Sequence, residues 1–136
     1  MPAASLGWIV LFIGGGLGAV LRHAIAVGID RLAAGPPTSH FPYATLTANL
    51  IGCLAIGLLA EWAGPRPMVR LGLIVGLLGG FTTYSSFALD TVRLVATGRL
   101  GQAGVYVLLT NAAGITAAAL AYRATGGGPI AALDPD

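Results

Sequence analysis

The stretch GLLGGFTTYSSF, Gly76 to Phe87, sets a glycine pair just ahead of five consecutive hydroxyl-bearing residues, Thr82 to Ser86, with apolar sequence on both sides. Gly79 and Gly80 can interrupt a helix at low steric cost. An interruption frees backbone carbonyls and amides, and carbonyls grouped in this way suit a bare cation. The hydroxyls of Thr82, Thr83, Ser85 and Ser86 can satisfy the other freed groups. Tyr84 and Phe87 are three residues apart, so both rings fall on nearly one face if a helix resumes there. The alternative is a continuous helix carrying a small-residue and hydroxyl packing patch.

Other polar residues in apolar surroundings offer related chemistry. Asn49 lies four residues after Thr45, on one helical face, and its carboxamide has two donors and an acceptor. It either bonds a neighbouring helix or donates to an anion in a pathway. Tyr106, Thr110 and Gly114 are spaced by four, which makes either a narrow polar track or an ordinary bundle contact; Asn111 and Thr116 lie off that stripe. Arg22 sits about two turns from the end of its apolar run. It either snorkels to the interface or faces a watery vestibule and concentrates anions there. His23 beside it points elsewhere and reads as a packing or interfacial residue.

The elements that must carry these residues are membrane helices. The chain has 136 residues, 56% hydrophobic and 9% charged, with mean hydropathy +0.84. A soluble domain carries about 25% charged residues. Four apolar stretches, Leu6–Ile29, Tyr43–Trp62, Met68–Ala96 and Gly101–Tyr122, reach the roughly 20 residues that a helical span requires. Residues 1–125 are therefore expected to form an all-α integral membrane domain of four transmembrane helices, followed by a flexible tail over 126–136. The connections are short: a Pro36-Pro37-Thr38-Ser39 turn, then GPRP, then TGRL. The third stretch has 29 residues, more than one straight span needs. Tilt explains the excess, and so does a helix broken mid-span.

Charge placement bears on topology. Four spans put both termini on one side, which carries Arg66, Arg70 and Arg123 against Arg31, Arg93 and Arg99 opposite. Three against three gives no positive-inside preference, so the chain is expected to insert both ways up, unless Asp30 and Asp90 blur the count or the span ends fall a residue or two away. Two oppositely inserted copies would give eight helices, a single-gene form of an inverted repeat. Gly14 and Gly18, and Gly72, Gly76 and Gly80, recur every four residues and favour close helix contact. Cys53 stands alone in an apolar run and reads as a small buried residue. Seven Arg without Lys form no cluster suited to nucleic acid. No nucleophile–base spacing, HExxH or phosphate loop suggests an enzyme.

Together GGGLGAVLRH (Gly14–His23), TLTANLIGCLAIG (Thr45–Gly57) and GLLGGFTTYSSF resemble the Fluc or CrcB fluoride channels of bacteria, across all four spans in order. The resemblance implies an antiparallel, dual-topology homodimer in the bacterial inner membrane, with two parallel fluoride pathways and a central structural sodium ion. By position it implies a vestibule Arg at Arg22 and a pore-lining Asn at Asn49. Backbone carbonyls of Gly79 and Thr82 would hold the sodium, two from each subunit. Tyr84 and Phe87 would flank the fluoride path with the Ser85 hydroxyl beside it, and Tyr106 and Thr110 would lie on the polar track of the last span. Two positions depart from the family pattern: Tyr84 replaces a usual Phe, and Gly114 stands where a hydroxyl is common.

The implied function is passive export of cytoplasmic fluoride. The rival is a proton-coupled exporter of the small multidrug type, which needs a membrane-embedded acid in the first span. That span has none; Glu61 ends the second span, and Asp90 lies three residues from Arg93. An accessory membrane subunit without transport is a further alternative.

Overall fold

The computed structural model describes residues 2–32 and 41–127, and every regular element among them is helical. Four helices are long and apolar enough to cross a membrane: Ser5–Leu32, Tyr43–Ala63, Pro67–Ala96 and Leu100–Ala124. The chain is thus an all-α, multi-pass membrane protein. The Pro36–Ser39 turn and most of the proposed tail, from residue 128, lie outside the described residues.

Local chemistry sets the span ends. Pro67 occupies the first helical position of the third span, where its missing N–H is not needed. Gly98 closes that span with φ 75°, a left-handed conformation that lets its own N–H reach Val95 O and the Arg99 N–H reach Leu94 O, both at 2.9 Å. The outer faces remain apolar, with Trp8, Phe12, Leu17 and Val20 exposed, as suits contact with hydrocarbon.

The first span packs chiefly on the first half of the third, and the second on the last part of the fourth. The former contact is backbone against backbone. A methyl group added at Gly18 would strike the Leu77 carbonyl oxygen and come within 2.7 Å of the Phe81 nitrogen. Only a residue without a side chain allows that approach. A separate core gathers Leu46, Phe87, Leu94, Ala103 and Tyr106, with Phe41 and Leu50 packed against it. It lies at the start of the second span, the end of the third and the start of the fourth.

Two spans depart from uniform α-helix. The third contains an α-turn Pro67–Val69, a π-helical run Arg70–Leu78 and an α-turn Gly79–Phe81, then two non-helical residues before the α-helix Tyr84–Ala96. The fourth passes through a π-helical Leu109–Ala113 between α-helices Leu100–Leu108 and Gly114–Ala124. Such wider turns recur at functional sites.

Candidate functional site

Helical dihedrals lapse at Thr82 (φ −84°, ψ 158°) and Thr83 (φ −152°, ψ 115°). In an uninterrupted helix each N–H reaches the carbonyl four residues earlier. The Thr83 N–H would then bond Gly79, and the Ser86 N–H would bond Thr82. Both are diverted. The Thr83 N–H donates to Asn49 Oδ1 at 2.9 Å, and the Ser86 N–H donates to Thr83 Oγ1 at 3.1 Å. Among the carbonyls deprived of their helical donors are those of Gly79 and Thr82.

Asn49 completes the arrangement from the second span. Its Nδ2 donates to the Thr83 carbonyl at 3.2 Å while its Oδ1 accepts from the same residue's N–H. This reciprocal pair fixes the orientation of the carboxamide, because the oxygen must face the donor. One Nδ2 hydrogen remains uncommitted. Gly52, one turn further along, lets the third span approach: a methyl there would strike Thr82 Cγ2. The Thr82 hydroxyl bonds back to Leu78 O at 2.8 Å.

Thr83 is the cap of the helix that follows as well as the anchor for Asn49. Thr83→Val keeps the shape but removes the capping oxygen from the Ser86 N–H. It is expected to destabilise the protein by about 1 kcal/mol, read as a lower thermal midpoint in detergent, and Thr83→Ser should restore the loss.

A cleft of about 380 Å³ opens beside this segment, lined by Asn49, Gly79, Thr82, Thr83, Tyr84, Phe87, Thr110 and Asn111 together with Gly52, Cys53 and aliphatic residues. Among the described residues no charged side chain lines it. The Thr110 Oγ1 is sealed from solvent and has no hydrogen-bond partner among the described residues. The Tyr84 and Phe87 rings lie 5.5 Å apart, tilted, with Tyr84 largely exposed and Phe87 buried.

The remaining sequence-predicted residues lie around the cleft. Tyr106 is fully buried and backs Phe87 at a ring separation of 5.3 Å instead of lining the wall. Its hydroxyl is sealed from solvent beside Thr45 and Asp90, outside hydrogen-bond geometry with either. Thr45 Oγ1 itself donates to Asp90 Oδ2 at 2.7 Å. Ser85 is exposed, its hydroxyl 3.2 Å from that of Thr83, and is not part of the wall. Arg22 lines a neighbouring cavity of about 270 Å³ with His23, Thr45, Thr83 and Ser86, and its Nε is sealed and without a partner among the described residues. Thr83 lines both cavities.

Two residues carry more of the site than their sequence positions suggest. Thr83 is a threonine three residues ahead of a serine at the start of an apolar helix, which is a capping signal. Asn111 falls off the 106–110–114 stripe only if the helix keeps 3.6 residues per turn. The π-helical Leu109–Ala113 alters that register, and Thr110 and Asn111 both line the cleft.

Comparison with known proteins agrees over most of the chain. Residues 9–122 match the family described as CrcB-like protein, Camphor Resistance (CrcB). A protein named fluoride-specific ion channel FluC from Methylobacterium sp. (strain 4-46) is 42% identical over 121 residues, covering 86% of this chain and 94% of that one. Proteins of the same name from Novosphingobium aromaticivorans and Agrobacterium fabrum are 45% and 44% identical, each over 108 residues, 76% of this chain and 83% of theirs. With the four spans and a matched segment that includes all three polar motifs, these likenesses establish that the chain belongs to the CrcB-like family.

Proposed function

We propose that this protein is a fluoride-selective channel of the bacterial inner membrane that passively exports cytoplasmic fluoride. The observation that carries the reading is the cleft: amide, hydroxyl and aromatic groups from three spans meet there without a fixed charge. The name shared by its relatives points the same way.

The chemistry follows from the ion. Fluoride is small and holds its hydration shell tightly, so a pathway must offer donors in place of water. The free N–H of Asn49 is such a donor, and the hydroxyl of Thr110, without a partner among the described residues, lies sealed behind the wall. The ring edges of Tyr84 and Phe87 carry partial positive charge and can face an anion. A wall without arginine does not trap the ion, and one without carboxylate does not repel it, which suits a site that must also release. Arg22 in the adjoining cavity raises the local anion concentration at the entrance. A negative-inside potential then drives efflux by about 2.3 kcal/mol per 100 mV.

The assembly in this reading is an antiparallel homodimer with two pathways. The balanced arginines support dual insertion. So does the exposure of Tyr84, 79% in the single chain, on a face that a second copy would cover. The lapse at Thr82 and Thr83 then acts as a true break in the third span. The Gly79 and Thr82 carbonyls, stripped of their helical donors, suit a hard cation, and two copies would present four oxygens to one sodium ion. Bound there, sodium would supply positive charge that ties the two interrupted spans together.

The multidrug-type alternative requires an embedded carboxylate open to substrate. Glu61 is exposed at the end of the second span, and Asp90 is engaged by Thr45. Purified protein in liposomes loaded with potassium fluoride, with valinomycin added, tests the reading directly. A fluoride electrode should register rapid release, and matched chloride-loaded vesicles should retain their contents. Equal release of both anions would defeat the selectivity, and no fluoride release would defeat the channel.

A further inference from the structure

We propose that Asn111 is a second anion-donating carboxamide of the cleft, a pathway residue beyond those the sequence stripe identifies. The inference rests on the channel reading above. A regular α-helix sets successive side chains about 100° apart. In the wider turn of Leu109–Ala113 the two neighbours come closer in angle, and Thr110 and Asn111 both line the same wall.

An asparagine inside a span is expensive unless its polar atoms are used. Asn111 Nδ2 donates to the Val107 carbonyl at 2.8 Å. That bond takes one N–H and leaves the other, which has no partner among the described residues. Asn49 is arranged in the same way, with one N–H given to the Thr83 carbonyl and one uncommitted. Thr110 adds a sealed hydroxyl that lacks a partner. Two carboxamides, from the second and fourth spans, thus offer donors to one uncharged cleft of about 380 Å³, with the Thr110 hydroxyl sealed behind its wall. Donors of this kind are what a dehydrating halide needs in place of water, and in each carboxamide the bond to a backbone carbonyl holds the remaining donor in place.

The competing role for Asn111 is purely structural, holding the Val107 carbonyl in the π-helical turn. One substitution separates the two. In this protein the hydroxyls of Thr82, Thr91 and Thr97 each donate to the carbonyl four residues earlier at 2.8 Å. Asn111→Thr therefore keeps the bond to Val107 but spends its only hydrogen on it. Asn111→Leu removes both the bond and the donor.

The experiment compares wild type, Asn111→Thr and Asn111→Leu in fluoride-electrode efflux at sub-saturating fluoride, alongside thermal unfolding in detergent. Both variants should release fluoride about tenfold more slowly than wild type. Asn111→Thr should do so with an unchanged thermal midpoint. Wild-type efflux from Asn111→Thr would overturn the inference alone and leave the channel standing. A wild-type protein that releases no fluoride would remove the channel reading and this inference with it. Should either variant fail to purify as a single species, Asn111→Ser makes the same comparison with a smaller side chain.

Discussion

Asn49→Asp is expected to abolish fluoride release, with a loss of at least about a hundredfold. The aspartate keeps an oxygen for the Thr83 N–H but has no donor for the Thr83 carbonyl, which lies 3.2 Å from Nδ2 in the wild type. Losing that bond and leaving the carbonyl opposed costs about 1–3 kcal/mol. The new charge adds repulsion of an approaching anion. At 4 Å that amounts to roughly 4 kcal/mol for an effective dielectric constant of 20. Together the two effects exceed the roughly 2.7 kcal/mol that a hundredfold loss of rate requires. The assay is electrode-monitored efflux from vesicles containing protein that elutes as a single species. An Asn49→Asp protein that conducts like wild type would remove Asn49 from the pathway.

Gly18→Val is expected to prevent formation of the folded protein, while Gly16→Val is tolerated. At Gly18 the added carbon would meet the Leu77 carbonyl and the Phe81 nitrogen, both backbone atoms of the third span. Backbone yields only if the whole span moves, so the cost is about 3 kcal/mol or more. The strain would fall on the segment that ends at Phe81, directly before Thr82. At Gly16 nothing lies within 4 Å of the added carbon. Size-exclusion elution and thermal midpoints in detergent provide the comparison. Equal behaviour of the two variants would show that the first and third spans do not meet through Gly18.

The four spans were legible because apolar length is a one-dimensional property and each connection is short. The glycine pattern was legible for a related reason: residues four apart share a helical face, and Gly14, Gly18 and Gly80 do lie at backbone contacts. Asn49 was legible as a polar group that needs a partner, but the identity of that partner was not. Its reciprocal bonds to Thr83 connect residues 34 apart in the chain, and spacing within one helix says nothing of them. That Asn111 shares a cleft with Thr110 was not legible, because counting by 3.6 assumes an α-helix throughout. No residue type marks Leu109–Ala113 as π-helical. Tyr106 shares the stripe of Thr110, yet its bulk is taken up by the core behind Phe87, with no exposure at all. Stripe membership fixes a direction around the helix. Which neighbour a side chain meets there depends on the packing of other spans.

The single measurement closest to the central claim is the reversal potential of a bilayer containing the purified protein. The membrane would separate a tenfold gradient of fluoride, with equal chloride and equal pH on both sides. A pathway that passes fluoride and rejects chloride should reverse about 59 mV from zero, at the equilibrium potential of a univalent ion for a tenfold ratio. A current that reverses at zero would contradict selective passage of dehydrated fluoride through the cleft.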